Sequence, residues 1–264
     1  MDVLSVSSDQ WNGWIDQFFL PLTRILALIA TAPLIGQAAV PLQARLGLGL
    51  ALTFVIAPGI DPHHGVSLAS AEGGLLILEQ ILVGAVLGFS VNLIFAAVTM
   101  AGELSGLQMG LGFASFYDPL HATFQPLIGQ FLNILFSLIF LSLDGHLLVI
   151  DALADSFRTV PLEPALHLHA QGWHMALALA STLFAEAIRL SLPILAALMI
   201  TNLALGVLTR AAPQLNLFAV GFPVTLAVGF IVLDFSLPTL PALAERIIRS
   251  SLVASAGLIQ RLLY

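Results

Sequence analysis

The sequence predicts an all-α membrane protein built from about six hydrophobic helices, some of them kinked or incomplete. Three observations lead there. Of 264 residues, 59% are apolar and only 9% are charged, whereas soluble domains carry about 25% charge. Six apolar stretches approach the roughly 20 residues that a spanning helix needs. Between them lie only turn-rich connections, with no room for a soluble domain. A soluble fold of this length needs far more charge to cover its surface, so a soluble globular enzyme is excluded. The whole of residues 1–264 reads as one membrane domain.

The first stretch is Ile15–Ile35. The N-terminus carries Asp2, Asp9 and Asp16 and no basic residue ahead of this stretch; a secretory signal needs a basic flank, so the stretch is expected to be retained. The second, Leu46–Ile60, is short for a full crossing and is the candidate for an incomplete one. Leu75–Ala101 and Leu127–Leu143 follow. Met175–Leu208 is too long for a single crossing, and Pro193 inside it predicts a kink. Leu217–Leu237 is the sixth. Asp61–Gly65, Gly102–Gln125 and Pro161–Gly172 read as the connections. Arg45 lies after the first stretch and Arg246, Arg249 and Arg261 crowd the C-terminal segment. With six complete crossings the positive-inside rule then contradicts itself.

Polar groups recur inside the apolar stretches: Arg24, Glu79, Asn92, Asn133, Glu186, Arg189, Asn202 and Asp234. An ionised side chain at the bilayer centre costs about 2.5–3.5 kcal/mol, so such groups are expected to meet protein or a wet cavity. Glu186 and Arg189 lie three residues apart on one helix face, which fits either an ion pair within the chain or a contact between subunits. Glu103, Gln108, Asp118 and Arg210 are further candidates for buried or inter-subunit polar positions.

The most informative segment runs from Ala101 to Pro119. Gly102, Gly106 and Gly110 recur every four residues, two overlapping steps that let another backbone approach one helix face. Gly110 and Gly112 loosen the helix. Phe113, Phe116 and Tyr117 come next, and Asp118-Pro119 reads as a turn. Non-helical backbone at membrane depth persists only inside protein or beside a cavity. From the residues alone, two readings fit: an ordinary packed re-entrant loop, or a plug in which Met109 and the aromatics close a pore.

Other chemistry finds little support. All eight basic residues are Arg and the net charge is −7, so nucleic-acid binding has no electrostatic footing. With no Cys, disulfides and thiolate chemistry are excluded. Gly88-Phe-Ser-Val-Asn92 lacks the second glycine of a nucleophile elbow, and no H-E-x-x-H occurs. No catalytic residue, metal site or cofactor is expected. His167, His169 and His174 read as a solvated loop, His63-His64 as part of a turn, and His146 as a loop anchor.

The stretch Gly106-Leu-Gln-Met-Gly-Leu-Gly-Phe-Ala-Ser-Phe-Tyr-Asp-Pro119 closely resembles the signature of the FliR family of the type III export gate. Arg24–Pro33, the Asp144-Gly-His146 turn, and Asn202–Gln214 with Gly221-Phe-Pro223 match it in the same order, so the resemblance covers nearly the whole chain. It implies a non-enzymatic subunit of a protein-conducting channel in the bacterial inner membrane, inside the flagellar basal body. It implies partners as well: FliP and FliQ homologues in a helical assembly, other export-apparatus membrane proteins, and unfolded flagellar substrates. Residues 1–174 would be FliP-like and residues 175–264 a FliQ-like hairpin turning near Arg210–Asn216. The loop 102–125 would plug the closed pore, with Gly106, Met109, Gly110, Gly112, Phe113, Phe116 and Tyr117 as its working residues; this favours the plug reading. Gly112 stands where relatives often have Ser, Tyr117 where Phe is frequent, and Pro41–Arg45 carries one basic residue where relatives often have several. A virulence-type secretion subunit is the alternative within the resemblance. A self-contained small-solute transporter, which would show inverted repeats, and an intramembrane protease are the rivals outside it.

Overall fold

A computed structural model describes residues 8–36, 39–60, 70–112, 126–162, 170–214 and 217–263. Among them are eight α-helices and no strand. They are α1 (Ser8–Thr31), α2 (Leu42–Ile56), α3 (Ala71–Gln108), α4 (Leu127–Ser142), α5 (Gly145–Thr159), α6 (Ala170–Ala211), α7 (Leu217–Ser236) and α8 (Leu240–Leu263).

The six apolar stretches are all helical, and the structure corrects their number and ends. α5 and α8 were not expected as separate helices: both are amphipathic, carrying Asp151, Asp155 and Arg158, or Glu245, Arg246 and Arg249, on one face. α2 starts at Leu42, and with the 3-10 turn Ala57–Gly59 it forms an 18-residue segment long and apolar enough to cross a membrane. The helix is longer than the sequence reading gave it, because Leu42, Gln43, Ala44 and Arg45 extend it at its start. Among the described residues, four segments meet the crossing requirement: Leu42–Gly59, Ala71–Gln108, His174–Ala211 and Ala219–Arg261. α4 and α5 make a fifth only when taken together, while Phe18–Thr31 is a shorter apolar segment. Gly102–Gln108, expected in a connection, continues α3. α6 runs unbroken through Pro193 for 42 residues.

Two helices far exceed a bilayer. At 1.5 Å per residue α3 is about 57 Å long and α6 about 63 Å, against about 30 Å of hydrocarbon. Hydroxyls along the helices bond back to their own backbone, as Ser90 to Val86, Ser105 to Ala101 and Ser191 to Ala187. That bonding leaves no hydroxyl proton stranded in an apolar setting.

The chain divides into two compact units. One comprises residues 1–93, 144–179 and 248–264; the other comprises 94–143 and 180–247. The first has a core of Leu20, Ile25 and Ile29 from α1, Leu76 and Val83 from α3, Leu153 from α5, and Ile248 from α8. Gly84 and Gly88 let α3 touch α1 closely: a Cβ on Gly84 would collide with the Arg24 carbonyl, and one on Gly88 with Thr31. Ser251 on α8 donates to the Ser90 carbonyl of α3 at 3.1 Å. The core of the second unit includes Phe95, Val98 and Ala101 from α3, Leu132, Phe136 and Phe140 from α4, and Leu198 from α6. Phe95 meets Phe136 edge-on, with ring centres 5.0 Å apart, the arrangement that aromatic quadrupoles favour.

Candidate functional site at the end of the third helix

The glycines between 102 and 112 are under different constraints. Gly102 lies at a close crossing of α3 with α4, where an added Cβ would sit 2.6 Å from the Gly129 nitrogen. Asn133 donates to Thr99 at 2.8 Å one turn along the same interface. Gly106 is under no such constraint, since a Cβ there would rest 3.5 Å from Ile128. Gly110 has left the helix with φ 90°, and its N–H donates to Leu107 at 3.0 Å. That positive φ is free only to glycine, and it turns the chain away from the helix axis at the helix end. Gly112 falls in the turn that follows, where a Cβ would stand 3.0 Å from Leu107.

Met109, at the break, is completely buried. Its backbone N–H donates to Ser105 at 2.9 Å, and its carbonyl accepts from the Thr225 hydroxyl of α7 at 3.1 Å. Its side chain fills the place a Cβ on Gly229 would take, with Cγ 2.5 Å and Sδ 2.8 Å from that point. α7 therefore provides a notch and a donor, and the end of α3 is fastened to both. Thr225 and Gly229 were not anticipated from the sequence. Two glycines, Gly221 and Gly229, inside an otherwise bulky apolar helix were the signal available.

Glu103 and Gln108 are half-buried on the last turns of α3. Phe113, Phe116, Tyr117 and Asp118 lie outside the described residues.

The remaining polar positions separate by burial. Arg24 is fully buried in the first unit. Its Nε donates to Gln80 Oε1 at 2.7 Å, Nη1 to the Ser156 carbonyl at 2.8 Å, and Nη2 to the Val160 carbonyl at 2.9 Å. The guanidinium also stacks 4.1 Å above Phe157. Two of its acceptors are the Ser156 carbonyl in the last turn of α5 and the carbonyl of the C-cap residue Val160, so Arg24 caps that helix from α1. Glu79 is fully buried in the same unit. Glu186 pairs with Arg189 at 2.6 Å, and its other oxygen stands 3.9 Å from Arg246. The second distance is an ion pair but too long for a hydrogen bond. Asn202 and Arg210 are exposed on α6, as are Asn92 and Asp234 on their own helices.

Among the described residues no group of three or more His, Cys, Asp or Glu is placed to hold a metal. His174 is exposed, and His167 and His169 lie outside the described residues.

The model of the bacterial export proteins, family 1, matches residues 15–251. Flagellar biosynthetic protein FliR of Pectobacterium carotovorum subsp. carotovorum is 46% identical over 248 residues, 93% of each chain. The protein of that name from Escherichia coli (strain K12) is 40% identical over 247 residues, again 93% of each. The one from Bacillus subtilis (strain 168) is 34% identical over 219 residues, covering 82% of this chain and 84% of its own.

Proposed function

The chain belongs to family 1 of the bacterial export proteins, and from that membership we propose that it is a core subunit of the flagellar type III protein export gate. It lines and plugs the channel through which unfolded flagellar proteins cross the inner membrane. Its partners are FliP and FliQ homologues, with other membrane components of the export apparatus around them. The flagellar branch, as opposed to a virulence-type system, rests on the names its relatives carry.

The observation that carries the plug is the break at Met109 and Gly110. A long apolar helix stops there at a glycine with positive φ, and its last side chain is buried against α7. The aromatics of the signature come directly after in the sequence, in a glycine- and phenylalanine-rich stretch whose composition suits neither open water nor bare lipid. In the resting channel Met109, Phe113, Phe116 and Tyr117 exclude water from the pore, while Gly106, Gly110 and Gly112 supply the backbone freedom to clear it.

Assembly with sister subunits draws support from α6. Only 11% of its apolar window is buried within the chain, and Met199, Ile200, Leu203 and Val207 stand exposed along it. Two helices about twice as long as the bilayer is thick suit a complex raised out of the membrane plane. The break between α6 and α7 suits a FliQ-like hairpin over residues 175–264, following a FliP-like part over 1–174. Glu103, Gln108, Asp118, Asn202 and Arg210 are then polar positions facing partners or the passage.

Shortening the Gly106–Phe116 segment and measuring ion leak through assembled complexes tests the plug. Leak should rise well above that of the intact complex. An equally tight membrane would overturn the reading.

A further inference from the structure

The seat of Met109 on α7 has the form of a catch. The notch at Gly229 exists because that residue has no side chain: Met109 Cγ, Cε and Sδ occupy the space a methyl would claim. The Thr225 hydroxyl shares its one proton between the Met109 carbonyl at 3.1 Å and its own Phe222 carbonyl at 3.0 Å. It therefore keeps a partner when Met109 leaves. Immediately beyond, Gly110 can rotate without steric cost. Met is unbranched and flexible, and it can withdraw from a notch and refill it without disturbing the backbone of α7. Each element favours a contact that is made and broken as a unit.

We propose that Met109 is a reversible detent: seated in the Gly229 notch it holds the end of α3 in the resting state, and export requires it to leave. The proposal rests on the plug reading above. Met109 is a positioning residue in it, and Thr225 and Gly229 are the socket.

The sequence contains no Cys, so an engineered pair stands alone. In a Met109→Cys, Gly229→Cys chain, Sγ at position 109 replaces a Cγ that lies 2.5 Å from the new Cβ, within disulfide reach. Cells carrying the complete export apparatus are treated with an oxidant and then a reductant. Secretion of flagellar protein and recovery of the intact complex are followed throughout. Oxidation should cut secretion by at least about tenfold, because a locked state cannot repopulate the open one, and the reductant should restore it. Failure of the disulfide to form overturns the proposal. So does undiminished secretion by the crosslinked chain.

If the Cys pair does not accumulate, Gly229→Ala decides. Its methyl displaces Met109 from the notch, so ion leak should rise, and Met109→Ala, which leaves the notch empty, should raise it too. No rise in either variant overturns the detent. The two readings fail separately: a leak on shortening Gly106–Phe116 combined with an inert crosslink rejects the detent and keeps the plug.

Discussion

Removing Arg24 should uncouple α5 from the first unit. In an Arg24→Ala chain, Gln80 Oε1 and the Val160 carbonyl lose the donors they now have at 2.7 Å and 2.9 Å, inside a fully buried site. The Ser156 carbonyl keeps the Val160 N–H at 3.0 Å and is spared. Two stranded acceptors at about 1–3 kcal/mol each, with a lost stacking on Phe157 of about 2 kcal/mol, are partly offset by relief of the guanidinium's own desolvation. The net falls at about 3–5 kcal/mol. Hydrogen exchange on the detergent-purified complex reads this directly. Amides in the last turns of α5 should exchange faster by about two to four orders of magnitude, at 1.36 kcal/mol per factor of ten. Amides of α4, in the other unit, should not change. Arg24→Lys should fall between, because one ammonium cannot span three acceptors that a planar fork reaches together. Unchanged α5 protection would refute the reasoning, as would an equal loss in every helix.

The glycine repeat yields a paired prediction. Gly102→Ala drives a methyl into the Gly129 backbone, which cannot yield, and should cost about 1–3 kcal/mol, seen as a lower steady-state amount of assembled complex; Gly106→Ala should be neutral or gain up to about 1 kcal/mol from helix propensity. Arg246→Ala should change the complex's thermal midpoint little, because a pair 3.9 Å apart with the Arg246 side chain 63% exposed contributes about 0–1 kcal/mol. A large drop in that midpoint would show that the pair matters more than its geometry allows.

Much of this was legible in the sequence, for reasons that differ from element to element. The long apolar stretches identified themselves, because lipid-facing and core-facing helices are both hydrophobic and composition alone detects them. α5 and α8 escaped the same filter, because one face of each is charged. With α5 unseen, the partners of Arg24 were out of reach: charge in an apolar run says that a partner exists, not which carbonyls supply it. Glu186 and Arg189 were readable because three-residue spacing on a helix fixes geometry locally. The glycine repeat was readable as a pattern but not as three separate roles. Which glycine meets a crossing helix depends on Gly129, and which one turns the chain depends on where α3 stops. Met109 was picked out for its flexibility, while its socket, 116 residues further along, left as a trace only one of the two glycines of α7.

The cap on α5 also sets a schedule for biosynthesis. Arg24 waits for a carbonyl 132 residues downstream, a delay on the order of ten seconds at ordinary ribosome speeds. The last pieces of the first unit arrive later still, with Ile248 and beyond. Through that interval the cation of the first helix can reach Gln80 but not the carbonyls at the end of α5. Until α5 has been made, a wet or proteinaceous surface is the setting that suits α1.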